Sequence, residues 1–290
     1  MASSRSDHQK REAIKRRNQG ETLADIARTY NVSPATISRL EASDRWLRST
    51  QDETMYRKQL PRDYELRDMA QSPPSTEAYF SDFDNKLQEN PVRLKHFRDI
   101  EAELQGLDAS TWSYLKAQLA PLLAVKIEKR GWQALFDKLN EAKGYNHLVS
   151  IGCTNVEFIP VSSVNGQRTP DLQGDLEGAR VLCEVKTINM SEVEATRRTS
   201  GAVGSITLQL PCGFFRKLTL DIETAKRQMA AYDADNSIRK IVYIIVNFDD
   251  RSHEYGDDYS AQIDSFIAAS PTPQIEIVFH IKPPFYSATV

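Results

Sequence analysis

At 290 residues, with 40% hydrophobic and 27% charged side chains, the chain has room for one large domain beside a small one and can bury a real core. No apolar run approaches the roughly 20 residues that span a bilayer, and the N-terminus MASSRSDHQKREAIKRR offers no secretory signal, so a cytoplasmic location is expected. Cys153, Cys183 and Cys212 are the only cysteines; odd in number and outside any CxxC spacing, they argue against a disulfide framework and a zinc site.

In chain order, the first fifty residues read as three short helices. Ala13, Ile14, Leu23, Ile26, Ala27, Tyr30, Val32, Ile37 and Leu40 give them a compact apolar set. Gly20 separates the first two helices, Asn31 suits a tight turn, and Ser33-Pro34 is a helix cap followed by proline at the first helical position. Residues 49–90 form a polar connector, with Pro61, Pro73 and Pro74 and some helix around Tyr64–Met69. From Val92, apolar residues at three- and four-residue steps (Leu94, Phe97, Ile100, Leu104, Leu107) mark an amphipathic helix. Further helices are expected over Thr111–Lys129 and Trp132–Ala142, the latter ending at Gly144.

After Gly144 the pattern turns to strands: Val156–Val161, Val181–Ile188, Lys240–Phe248 and Ile275–Ile281, with helices near Asp221–Asp233 and Tyr259–Ala269. The fold expected is therefore α/β, a mixed sheet flanked by helices behind a small all-α unit. The units are residues 1–48, the connector 49–90 and a main domain over 91–290.

Net charge is −3, yet residues 1–50 hold ten Lys and Arg against six acids, so the basic excess lies at one end. Residues 20–40, GETLADIARTYNVSPATISRL, fit two helices crossing at Ala27 around a turn plugged by Val32. That leaves Ser33, Ala35, Thr36, Ser38 and Arg39 facing outward. Arg39 is the natural reader of a base edge, and Thr36 or Ser38 suits a phosphate or base. The segment resembles the helix-turn-helix of resolvase/invertase recombinases over about residues 10–45, which implies DNA as a partner. A helical bundle for protein contacts is the plainer alternative.

Residues 168–189, RTPDLQGDLEGARVLCEVKTIN, concentrate the chemistry. Strand alternation sends Val181, Cys183 and Val185 to one face, and Leu182, Glu184 and Lys186 to the other. A hairpin-like return through Gly174–Gly178 can bring Asp171, after Pro170, beside Glu184 and Lys186. Two adjacent carboxylates bind a hard cation such as Mg²⁺, with Mn²⁺ a substitute, and the cation acidifies a bound water. The Val185 carbonyl could complete the coordination, and a lysine two residues along can position or deprotonate that water.

Pro170-Asp171 and Glu184-Val185-Lys186 resemble the signature of the PD-(D/E)XK nuclease superfamily, and the order of helices and strands over about 111–250 is similar. The resemblance implies a restriction-endonuclease-like core in which Asp171 and Glu184 hold metal and Lys186 assists the water. It also implies a helix acid before the first strand, for which Glu128 is preferred over Glu141; Gln133 stands where a glutamate was sought. Gln228 and Tyr232, four residues apart on a helix, match an auxiliary pair of some exonuclease branches. Arg197 and Arg198, in the loop Ser191–Ser205, are further phosphate-contact candidates.

The expectation is a Mg²⁺-dependent DNA endonuclease targeted by its N-terminal helices, and by analogy a homodimer, since cutting both strands uses two active sites. The rivals are a non-catalytic DNA-binding regulator on a nuclease-like scaffold, and a nuclease for RNA or branched DNA.

Overall fold

The computed structural model describes residues 7–18, 20–38, 53–70, 79–80, 83–84, 87, 91–128, 130–162, 168–189, 191–193, 196, 200, 208–235, 237–247 and 256–282. Near the N-terminus, α1 (Asp7–Asn18) and α2 (Leu23–Thr29) precede a helical stretch at 34–38. Ala13, Ile26, Ala27 and Ile37 are buried together, with Leu23, Tyr30 and Val32 packed against them. Thr22 caps α2 by accepting from the Asp25 amide at 3.2 Å, and Ser33 accepts from the Thr36 amide at 3.2 Å. Asn31 turns the chain between them at φ 51°, a left-handed conformation that asparagine tolerates better than most residues.

The expected connector packs as core over its described part. Residues 53–59 are helical and α3 spans Pro61–Ala70. Tyr56, Leu60, Tyr64 and Leu66 are buried in the same cluster as Phe97, Ile100 and Leu104 of α4 (Pro91–Gln105). Their apolar content is low, but it lies on the inward positions, which an average over the segment conceals.

Helix α5 (Ala109–Leu119) starts at an Asp108 cap, whose carboxylate accepts from the Thr111 amide at 2.8 Å. It stops well short of the expected Lys129: a 3₁₀ turn, Ala120–Leu122, carries Pro121, which has no amide hydrogen to continue the ladder. Next come α6 (Gln133–Leu139) and α7 (Glu141–Ser150), jointed at Asn140. Gly144 lies inside α7 rather than ending a helix.

One five-stranded sheet follows in the order β1 (Thr154–Phe158), β2 (Leu172–Leu176), β3 (Ala179–Ile188), β4 (Arg239–Asn247), β5 (Ile275–Lys282). The first three strands form an antiparallel meander, and β3, β4 and β5 run parallel. Glu177 and Gly178, both at positive φ, make the two-residue turn between β2 and β3. Parallel neighbours need crossovers, supplied by α8 (Cys212–Tyr232) and α9 (Gly256–Ala269).

Both faces of the sheet are covered. Val181, Cys183, Val185, Ile241, Tyr243 and Ile245 join the core shared with residues of α5, α6 and α7. Leu182, Ile188, Val242, Ile244 and Val246 join the core beneath α8 and α9. Central parallel strands buried on both sides are apolar at almost every position, which is why two charges in β3 stand out.

Candidate active site

The site forms where β2 parts from β3. Their pairing ends at Leu172↔Cys183, and buried Pro170 has no amide hydrogen to extend it. The next β3 amide, Val185 N–H, is taken by a side chain: it donates to Asp171 Oδ2 at 2.8 Å. Asp171 is fixed from the other side by its carbonyl, which accepts from the Ile159 amide at 2.9 Å. A strand residue directs its N–H and C=O to the same edge, so the Val185 carbonyl faces the same gap.

Glu184 is 1% exposed, and both its oxygens are engaged. Oε1 pairs with Lys186 Nζ, and Oε2 accepts from Gln228 Nε2 at 2.9 Å. Gln228 reaches down from α8 and also donates to the Thr169 carbonyl, so one amide ties the residue before Pro170-Asp171 to the β3 carboxylate.

The third carboxylate is Glu141, the first residue of α7. Its Oε1 pairs with Lys138 Nζ at 2.6 Å, from the last turn of α6. Between these two residues Asn140, buried, donates to Thr187 Oγ1 at 3.2 Å, pinning the helix joint to the residue after Lys186. Gly144 lets α7 lie against β3: a Cβ there would stand 2.5 Å from Val185 Cγ2.

The electrostatics bind these groups into one cluster. Burial pushes the Glu141 carboxyl up to about 8, with repulsion from Asp171 adding and Lys138 opposing. Burial also raises Glu184 to about 7, again with Asp171 adding. Asp171 is raised by burial, against the Val185 amide and the two lysines. Burial would lower Lys138, but Glu141 and Asp171 outweigh it and hold the ammonium protonated. Three carboxyl groups thus share two ammonium groups, and burial with mutual repulsion makes them hold protons that a further positive charge would replace.

The donor set suits a hard divalent cation in kind and in charge. In arrangement it is not closed: among the described residues, no three His, Cys, Asp or Glu side chains come together as a ready cage. The cations paired with Glu141 and Glu184 are the ammonium groups of Lys138 and Lys186.

The remaining candidates fall differently. Glu128 is exposed, in a turn and not on a helix, so the preferred helix acid is displaced by Glu141. Tyr232 does not accompany Gln228: its hydroxyl is 3.3 Å from Arg180 Nη2, and that guanidinium lies over its ring, an anchor between α8 and the β2–β3 hairpin. Ser33 and Ser38 are exposed and Thr36 is half-buried; Ser33 and Thr36 share a hydroxyl contact of 2.9 Å. Arg39, Arg197 and Arg198 lie outside the described residues.

Sequence reasoning missed Lys138, Asn140 and Asp137. Asp137 accepts from Asn189 at 2.8 Å, and Asn189 accepts from Asn247 at 3.0 Å. This chain runs past the carboxyl ends of β3 and β4, and burial raises Asp137 to about 6. The signal was the four-residue spacing of Gln133, Asp137 and Glu141, a polar stripe on otherwise buried helices.

No family model, curated protein or solved structure matches the chain. Among the described residues, no helix is long and apolar enough to cross a membrane.

Proposed function

We propose that the chain is a metal-dependent phosphodiesterase acting on DNA, with a restriction-endonuclease-like core and an N-terminal helix-turn-helix that delivers it. One observation carries the reading: Asp171 holds the Val185 amide and Glu184 pairs with Lys186 at the parting of β2 and β3, with buried Glu141 near enough to feel both carboxyl groups. An antiparallel meander followed by a helical crossover to parallel β4 supports the fold assignment. The basic three-helix unit, with its own small core, supports the delivery role.

Asp171, Glu184 and Glu141 would hold Mg²⁺ or Mn²⁺, with the Val185 carbonyl facing the same gap. When bound, the cation acidifies water and polarises the phosphate. Lys186 positions the attacking water, takes its proton or offsets charge developing on the phosphate. Gln228 fixes the rotamer of Glu184 and holds the Pro170 turn against β3. Two copies acting together would cut both strands of a duplex.

A regulator without catalysis is the second reading, favoured by the engagement of both Glu184 oxygens. Single-turnover assays on end-labelled duplex DNA separate the two. Mg²⁺-dependent cleavage that is lost in Glu184→Gln supports the nuclease. Retained duplex binding with no cleavage in any divalent cation supports the regulator. Binding that weakens in Arg39→Ala at fixed salt would support the helix-turn-helix; unchanged binding would count against it.

A further inference from the structure

Lys138 has no place in the nuclease signature, yet it pairs with Glu141, a carboxylate more exposed than Glu184. It stands on the last turn of α6 with its side chain 27% exposed, and the Glu141 it pairs with is 13% exposed. The Lys186–Glu184 pair is more enclosed, its glutamate 2% exposed. The charge of Asp171 acts on Lys138 as well as on Lys186.

The joint at Asn140 sets this geometry. A continuous helix would place residues 138 and 141 on one face three positions apart. Here the two residues belong to different helices, and the junction between them is held to Thr187 by the Asn140 side chain. The Lys138–Glu141 pair is therefore carried on a support fixed to β3. Lys138 gives Glu141 a positive partner from within the chain, where a buried charge left unpaired would be costly. Among the described residues no closed set of donors is formed around Glu141 while this pair is made.

We propose that Lys138 is a resident counter-ion of Glu141, which an incoming divalent cation displaces, so that Lys138 sets the affinity of the site for metal. This rests on the nuclease reading of the cluster and concerns its regulation. No bond is made or broken: one ion pair is exchanged for a metal–carboxylate contact, and the freed ammonium turns to solvent or to a substrate phosphate.

The test is calorimetric titration of the full-length chain with Mn²⁺, without nucleic acid, comparing wild type, Lys138→Met, Lys138→Arg and Glu184→Gln. Lys138→Met should bind Mn²⁺ roughly tenfold more tightly, the effect of removing one partly screened unit charge beside a carboxylate. Lys138→Arg, which keeps the charge and can grip both oxygens, should bind no more tightly than wild type. In EDTA, Lys138→Met should melt below wild type. If it does not fold, Lys138→Gln takes its place with the same expectation. Equal or weaker Mn²⁺ binding by the neutral variant, with wild-type binding lost in Glu184→Gln, overturns the counter-ion role and leaves the metal site standing. No saturable Mn²⁺ binding by wild type or by the neutral variant overturns the metal reading and the counter-ion role with it.

Discussion

Gly144 sits one helical turn beyond Glu141, where α7 crosses β3, and replacing it with alanine tests how closely the helix must lie on the sheet. A Cβ at this position would stand 2.5 Å from Val185 Cγ2 and 3.0 Å from Leu172 Cδ1. Neither neighbour can yield easily, since Leu172 is fully buried and Val185 is 7% exposed and β-branched. Alanine gains about 1 kcal/mol of helix propensity over glycine, while overpacking a well-filled core costs about 1–3 kcal/mol. Two contacts inside normal range put the cost at the upper end, for a net loss of about 1–2 kcal/mol. In a chain of this size that lowers the melting temperature by about 2–3 °C. Urea and thermal denaturation give the number. The same displacement lifts Glu141 from Asp171 and Glu184, so cleavage measured well below the melting point should fall more than stability does. A Gly144→Ala protein as stable as wild type, or more stable, would refute the close approach on which the placement of Glu141 depends.

Other outcomes follow from the same geometry. Gln228→Ala should lower cleavage about tenfold to a hundredfold at a stability cost near 1 kcal/mol, whereas Tyr232→Phe, which loses only a contact to Arg180, should leave the rate unchanged; paired rate measurements decide it. Asp108→Ala removes the α5 cap and should cost about 1 kcal/mol in urea unfolding. The amide and hydroxyl donors around Asp108 hold its carboxyl below the usual range, so its contribution is present above the ordinary aspartate pKa and fades as pH falls through the depressed one. Asp63 behaves oppositely: burial, then Glu101, raises its pKa well above the usual range. The folded state keeps a proton that the unfolded chain releases, so stability falls as pH rises above the ordinary aspartate pKa. Asp63→Asn should therefore melt higher than wild type at pH 7 and flatten that decline, as melts between pH 5 and 8 would show.

Much of the candidate site was legible because a strand has a strict period of two. In a run as apolar as VLCEVKTI, alternation separates Glu184 and Lys186 from Val181, Cys183 and Val185, and the sheet divides them the same way. The cover on the second face was not legible, since β3 is apolar on both sides and α8 begins nine residues before the expected Asp221. Glu128 was expected on a helix and lies off it for a local reason. A helix carried on to Lys129 would hold Glu128, but Pro121 ends the regular hydrogen bonding and leaves Glu128 on a turn. Gly144 misled in the opposite direction: glycine is read as a stop, but here its missing side chain serves a close contact, which only the packed structure reveals. Lys138 lies only three residues from Glu141, but a lysine on an amphipathic helix reads as solvated until packing shows its partner buried.

The central claim is tested most directly by supercoiled plasmid in Mg²⁺, with wild type, Asp171→Ala and Lys186→Ala compared at equal concentration and shown to be folded. Nicking and linearisation by wild type, absent in EDTA and reduced at least a hundredfold in both variants, is the expected result. Equal cleavage by wild type and Lys186→Ala, or no cleavage by folded wild type in either Mg²⁺ or Mn²⁺, would contradict it.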